Sequence, residues 1–376
     1  MNRRYTTLTT LLGGVLLGSF VAGAEATDVC GPIEADETWS LAGSPYVVTC
    51  DVVVRNDATL TVEPGVEVRF DPGTKLWIGT TSLGGGALIA DGASGGSILF
   101  TSNAPTPAPG DWGGLEFLST AVGAEFSGDT YLSGSILRSC VVEYAEEGVE
   151  VRSYPALIAS TIRLCDGYYS GGLHAWSASD TVRVLDCLIE DNTGYAVGGI
   201  QTSAPMRIAR CVIRNNTGLS GGVDASGIAL RIQDSEITGN TALGSVQGGG
   251  LTIGGITTEV HCCRIEENNG VAGGITFRPV SYQSLIITET SLAGNTGYAF
   301  KNWQYSDIAI PDNWWGTTDL NAIDAMIYDC EDNPTLGCVA VAPVLSGPIT
   351  PGACEPTTGI PQAGTVSWGK VKSLFR

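Results

Sequence analysis

Positive charge is what this sequence has least of. It carries 19 Lys and Arg against 39 Asp and Glu, a formal net charge of −20, and only four of the cations are lysine. A surface this acidic repels polyphosphate, so nucleic acid and anionic membrane are excluded as partners of the body of the protein. Long apolar runs are also missing after the first residues. The one run, from about Leu8 to Val21, follows Arg3 and Arg4 and is short for a membrane-spanning helix. Small residues then offer cleavage after Ala24 or Ala26, and Cys30 follows Val29, which does not suit a lipoprotein signal. Residues 1–26 therefore read as a secretory signal peptide, and the mature chain is expected to be extracellular, released or held at a cell surface.

Cysteine is present in an odd number, 11, so at least one thiol is free or pairs between chains. Cys30 with Cys50, and Cys330 with Cys338, bracket short segments and are expected to form disulfides in an oxidising compartment. The other cysteines fall mostly inside a repeat.

That repeat is the main signal. "CLIEDNTGYAVGGI" from Cys187 is followed by "CVIRNNTGLSGGVD" from Cys211 and "CRIEENNGVAGGIT" from Cys263. Aligned on the first position the copies begin at Cys140, Ser160, Cys187, Cys211, Ser235, Cys263 and Thr290, in steps of 20 to 28 residues. Two places on stands an aliphatic (Val142, Ile162, Ile189, Ile213, Ile237, Ile265, Leu292). Three further on stands Asn192, Asn216, Asn240, Asn268 or Asn295, with Cys165 once in that slot, and Asn313 is expected to close the column. A second strand follows, often opened by Gly-Gly, with first apolar residues Leu115, Val149, Leu173, Ile200, Val223, Leu251, Ile275 and Phe300.

Alternating apolar residues, β-branched content and Gly-rich turns at this period predict an all-β solenoid of stacked coils. One coil cannot bury its own inner face, but stacked coils share a continuous core, with rungs ~4.8 Å apart. Stacked Asn amides can bond the rungs above and below. The Cys/Ser column fits a tight inward position, so its thiols are expected to be buried and reduced. The outward column Glu143, Arg163, Glu190, Arg214 alternates in sign, as stacked charges require.

The N-terminal third ("ATLTVEPGVEVRF", "TKLWIG", "SILFTSN") reads as further strands. Near the other end Leu320, Ile323 and Ile327 fall on one helical face, predicting a short capping helix over the last coil. Residues 27–345 are expected to form a single domain, with an N-terminal cap at about 28–50 and a C-terminal cap at about 311–345. Residues 346–376 read as a disordered linker and a basic-aromatic tail (Trp368, Lys370, Lys372, Phe375, Arg376) that would engage a sorting or surface-attachment system.

On "TLTVEPGVEVRF", the Gly-Gly and Asn coils, "NWWGTTD" and "DNPTLG", the chain resembles secreted right-handed parallel β-helix repeat proteins of the pectate-lyase-like superfold, over roughly residues 30 to 345. The resemblance implies a right-handed parallel β-helix. It carries over no catalytic residue. The Asp-Asp pair and Gly-His-Gly of polygalacturonase-like members, the grouped calcium-binding Asp of pectate lyases, the Asp-Pro-His-Asp of alginate-type epimerases and the calcium nonapeptide are all absent.

The residues themselves suggest a face. Outward on the Gly-Gly strands stand Glu116, Glu150, His174, Gln201, Asp224, Thr252, Thr276 and Lys301; the next outward column includes Arg152, Trp176, Arg278 and Trp303. Glu150, Arg152, His174, Trp176, Gln201 and Asp224 are expected to share one ligand-binding face, an aromatic ring beside carboxylates and a guanidinium suiting a sugar chain. Were Glu116 and Glu150 one rung apart, their spacing would approach the ~5–5.5 Å of a retaining glycosidase, with His174 as a base nearby. The expected function is a non-catalytic extracellular solenoid touching polysaccharide on this face. The alternatives are a polysaccharide lyase or glycoside hydrolase using Glu116, Glu150 and His174, and a purely structural adhesion module. No cofactor or metal is expected: Cys263 beside His261 and Cys262 should point inward, which opposes a closed zinc site. Arg183, Arg207 and Arg231 form a stripe expected to pair with Asp186 and Asp234, and Trp314 and Trp315 are expected to pack in the end cap.

Overall fold

A computed structural model describes residues 26–354 apart from 83, 177, 228 and 279–283. The expected signal peptide up to residue 25 and the tail from 355 lie outside the described residues. The rest is a solenoid of parallel strands with one short helix.

The coil built from "VRVLDCLIEDNTGYAVGGIQT" illustrates the unit. Val182–Leu185 lies on one face, Leu188–Glu190 on the next, and Ile200–Thr202, after Gly198 and Gly199, on the third. Each pairs with its counterpart in the following coil: Arg183 with Arg207, Ile189 with Ile213, Ile200 with Val223. The apolar residues of these strands, such as Val184, Ile189 and Ile200 and their partners Ile208, Ile213 and Val223, are buried, so alternation along the strand becomes a column of aliphatics along the axis.

Two of the corners are made by single left-handed residues. Ser139, Ala159, Asp186, Arg210, Asp234, Cys262, Glu289 and Asp312, at φ between 48° and 57°, stand one place before the Cys/Ser column. Leu164, Asp191, Asn215 and Glu267, at φ between 54° and 57°, stand one place before the Asn column or its Cys165 slot, and Tyr144, at φ 64°, precedes Ala145 in the coil before. That conformation costs a non-glycine residue roughly 1–2 kcal/mol. The next residue recovers it by turning inward and bonding the neighbouring rung.

In the Asn column each amide is fully used. Asn216 Oδ1 accepts the backbone N–H of Asn192 at 3.1 Å and its Nδ2 at 3.0 Å. Asn216 Nδ2 donates to Ile189 O at 2.9 Å and to Asn240 Oδ1 at 3.0 Å. The ladder begins where Cys165 N–H donates to Asn192 and ends at Asn295, which accepts from Asn268. In the other column the thiols of Cys140, Cys187, Cys211 and Cys263 are free and buried, as their inward register requires, and so is that of Cys165 at the head of the Asn column. The outward charges also pair in the expected register, Arg163 with Glu143 and Arg214 with Glu190.

Three expectations are corrected. Asn313 does not close the Asn column: its Oδ1 accepts from Thr290 N–H at 2.9 Å, so it sits in the Cys/Ser/Thr column. The bend before it is Asp312, in register with Glu289, and Ile310 belongs to the preceding face. The capping helix is only Leu320–Asp324, N-capped by Asp319, and of its residues only Ile323 is buried. Leu320 is 52% exposed, and Ile327 is a strand residue over Phe300. The chain has to leave the helix early to supply a last rung.

Nor do residues 346–354 run free as a linker. Cys262, at a corner and pointing outward, bonds Cys354, and Gly352 N–H donates to Asp234. Cys30–Cys50 and Cys330–Cys338 are bonded as expected. Trp315 is buried at the C-terminal end.

Candidate functional site

The Gly-Gly strands keep their register through the long step from Leu115 to Val149. Glu116 lies directly beside Glu150, Glu150 beside His174, His174 beside Gln201, and Gln201 beside Asp224. The intervening chain leaves this face and forms a hairpin, Glu125–Ser127 with Thr130–Ser133. That hairpin reaches the Arg stripe: Asp129 binds Arg207 at 2.7 Å, and Arg183 lies over the Phe126 ring at 4.5 Å. The stripe's expected partners are thereby corrected. Asp186 pairs with Arg210, and Arg231 with Glu259.

Around Glu116 and Glu150 the charges are compensated. Arg152 Nη2 donates to Glu116 Oε1 at 3.0 Å and to Glu150 Oε1 at 3.3 Å, and Lys75 Nζ stands 3.4 Å from Glu116 Oε2. Trp176 Nε1 donates to Glu150 Oε1 at 2.8 Å, and its ring lies 4.2 Å under the Arg152 guanidinium. Glu116 is only 3% exposed. Burial, helped by the charge of Glu150, outweighs the two cations and raises the Glu116 pKa above the ordinary carboxylate value.

Asp224 does not join this group. Ser220 Oγ donates to its Oδ2 at 2.7 Å and Arg278 Nη2 at 3.0 Å, and burial, outweighing both, raises its pKa. Between Asp224 and His174, Gln201 keeps its register, with its Oε1 buried and unbonded.

Two features escaped sequence reasoning. Glu147, in the turn before Val149, accepts the Tyr169 N–H at 3.0 Å and places Oε2 3.6 Å from His174 Nδ1. Burial pushes its carboxyl up, but the imidazole, the Tyr169 N–H and Lys75 together hold it below its ordinary value. The second is a continuous run of rings. Tyr195 stacks on Tyr168 at 5.3 Å and 8°, Tyr168 meets Tyr169 edge-on at 5.1 Å, Tyr169 stacks on His174 at 5.0 Å, and His174 on Trp176 at 5.9 Å. Tyr168 and Tyr195 are 61% and 65% exposed. The signal was available: "GYYSGG" and "TGYAVGG" place tyrosine in the same turn of successive coils.

At the His261 corner Cys263 is buried inward, Cys262 is in a disulfide, and His261 Nε2 faces Glu289 at 3.0 Å.

Parallel coils, three corners and inward Asn and Cys columns define a β-helix. Residues 31–133 match the family model described as a pectate-lyase-like β-helix domain, and residues 116–260 that of the right-handed β-helix region. The chain folds as a right-handed parallel β-helix, and its N-terminal part is similar to pectate-lyase-like β-helix domains. No curated protein and no solved structure matches it. Its three disulfides are compatible with an extracellular protein.

Proposed function

We propose that this chain is an extracellular β-helix protein that binds polysaccharide, without cleaving it, across the turn and Gly-Gly strands between Glu116 and Tyr195. The observation that carries the reading is the ring run from Tyr195 to Trp176, whose three tyrosines are exposed. Sugar rings present C–H faces that pack on aromatic faces, and hydroxyls that bond carboxylates and guanidinium groups. Both kinds of partner stand here within neighbouring coils. Exposed stacked tyrosines have no packing role to explain them, whereas scattered single ones would need none.

The state of the two carboxylates supports binding without cleavage. A retaining pair holds the glycosidic bond between its carboxyl groups. Glu116 and Glu150 stand side by side on one sheet, share one guanidinium, and Glu116 is almost wholly buried. Asp224, an expected contact residue, is taken up by Arg278 and Ser220 and is left out of the binding surface.

A glycan array probed with the wild type, Trp176→Ala and Tyr195→Ala tests the reading. The wild type is expected to retain a subset of polysaccharides that both variants lose. No retention by the wild type would leave a structural adhesion module. Unsaturated or reducing ends released from acidic polysaccharides would overturn the non-catalytic reading in favour of a lyase or hydrolase.

A further inference from the structure

We propose that Glu147, Glu150 and His174 form a binding site for a first-row divalent cation, with Zn²⁺ as its best occupant. One potential ligand atom from each of the three lies within 4.8 Å of the others. Two acidic groups near a histidine are common on an acidic surface and would mean little alone. The independent observation is the imidazole itself. His174 is 8% exposed, its Nδ1 is buried, and that nitrogen has no hydrogen-bond partner. A buried ring nitrogen without a partner is destabilising unless something else satisfies it.

The spacing indicates what that is. His174 Nδ1 stands 3.6 Å from Glu147 Oε2, which is too long for a hydrogen bond. Two ligands at about 2.0–2.1 Å from a tetrahedral Zn²⁺ sit roughly 3.3 Å apart, so the observed gap is a small closure away from a shared ion.

The remaining bonds orient the ligands. Glu147 commits its other oxygen to the Tyr169 N–H, which fixes the carboxylate plane. Glu150 commits Oε1 to Trp176 and Arg152, leaving its second oxygen outside those bonds. The ring of His174 is clamped between Tyr169 and Trp176. Ligands held this way by outer partners are what a metal site requires.

One nitrogen and two carboxylates suit Zn²⁺ or a neighbouring transition ion rather than Ca²⁺, which takes six to eight oxygens. Two carboxylates also match the charge of a divalent ion. With three protein ligands the ion would keep an open position, where a water or an oxygen of a bound ligand could enter.

The sequence makes the test selective, because the chain has only two histidines, His174 and His261. The five free thiols, which would otherwise compete for zinc, are buried. The untagged full chain, stripped with a chelator, is titrated with ZnCl₂ by isothermal calorimetry, with CaCl₂ as the comparison. One equivalent of Zn²⁺ is expected to bind, unaffected by Ca²⁺. Affinity is expected to fall by about tenfold or more in His174→Ala and in Glu147→Gln, and to survive in His261→Ala. Glu147→Gln is close in shape, so a native far-UV spectrum there keeps the test valid if His174→Ala misfolds. Absence of Zn²⁺ binding in the wild type, or undiminished binding in a folded Glu147→Gln or His174→Ala protein, would overturn the proposal. No sugar enters the measurement, so its outcome is separate from that of the glycan array.

Discussion

Glu116 and Glu150 are register partners on adjacent strands, and a single side chain, Arg152, bonds both. Two carboxylates one rung apart repel, and the raised Glu116 pKa records burial first and that repulsion second. Arg152→Ala is therefore expected to cost about 2 kcal/mol near neutral pH, reduced from the value for a fully buried pair because the guanidinium is partly exposed. The sign with pH follows from the direction of the shift. An acid whose folded pKa is raised contributes stability that is complete below its unfolded pKa and lost as pH rises through the folded one. The penalty of Arg152→Ala should thus shrink as Glu116 is protonated. Urea midpoints of the two proteins at neutral and mildly acidic pH measure it; a gap that widens on acidification would contradict the assignment.

Asn216 carries four hydrogen bonds in the middle of the amide ladder. Asn216→Ala leaves the Asn192 N–H, the Asn192 amide and the Ile189 carbonyl short of partners in a dry core. The expected loss is about 3 kcal/mol, at the upper end for a point substitution. Asn295→Ala, at the half-buried end of the same column, should cost clearly less. Denaturant unfolding of both variants compares them, and equal losses would mean that the ladder is not the stabilising element.

How much of this could be read beforehand depended on repetition. The Ile189–Ile213–Ile237 column and the Asn ladder from Asn192 to Asn295 were legible, because stacking turns sequence period directly into spatial contact, whereas the long step from Leu115 to Val149 left the pairing of Glu116 with Glu150 open. The same logic failed where the period broke. Asn313 has the right distance from Ile310 but follows a different corner, and one corner moves a residue to another column. The Cys262–Cys354 bond joins residues separated by 92 positions, one of them beyond the repeat, so no local spacing signals it. Glu147 lies in a turn of variable length, where alignment gives no register. The partners of Arg207 came from a hairpin inserted between two coils, which no periodicity describes.

The buried thiols give a chemical test of the same register. Burial pushes Cys140, Cys165 and Cys263 up to about 12. At mildly alkaline pH the thiolate is then only ~1 in 10,000 of each, and the thiolate is the reactive form. Cys187 is also raised, by its contact with Cys211, while the same contact lowers Cys211 against burial, so Ellman's reagent is expected to find almost no fast-reacting thiol in the native protein because all five are closed off from solvent, and the full set of five in guanidinium. Rapid labelling of even one in the folded state would place that residue outside the inward column.

Asp129 ties the hairpin to the face of Val182–Leu185 through Arg207, and to the corner beyond it through Arg210. Its pKa is lowered chiefly by the Arg207 hydrogen bonds, against burial, with Arg210 adding to the effect. A depressed carboxylate contributes stability that is present above its unfolded pKa, about 3.9, and lost as pH falls through the folded value. Asp129→Asn removes that contribution, expected at about 1 kcal/mol for a partly exposed pair. The two proteins should differ in thermal midpoint near neutral pH and converge in strong acid, where the wild-type Asp129 is also protonated. Because the pair holds an insertion rather than a coil, the variant should also be cleaved sooner by a protease within residues 125–133 while the solenoid stays intact. A difference in midpoint that persists unchanged into strong acid would assign the loss to packing of the hairpin instead of to the charge of Asp129.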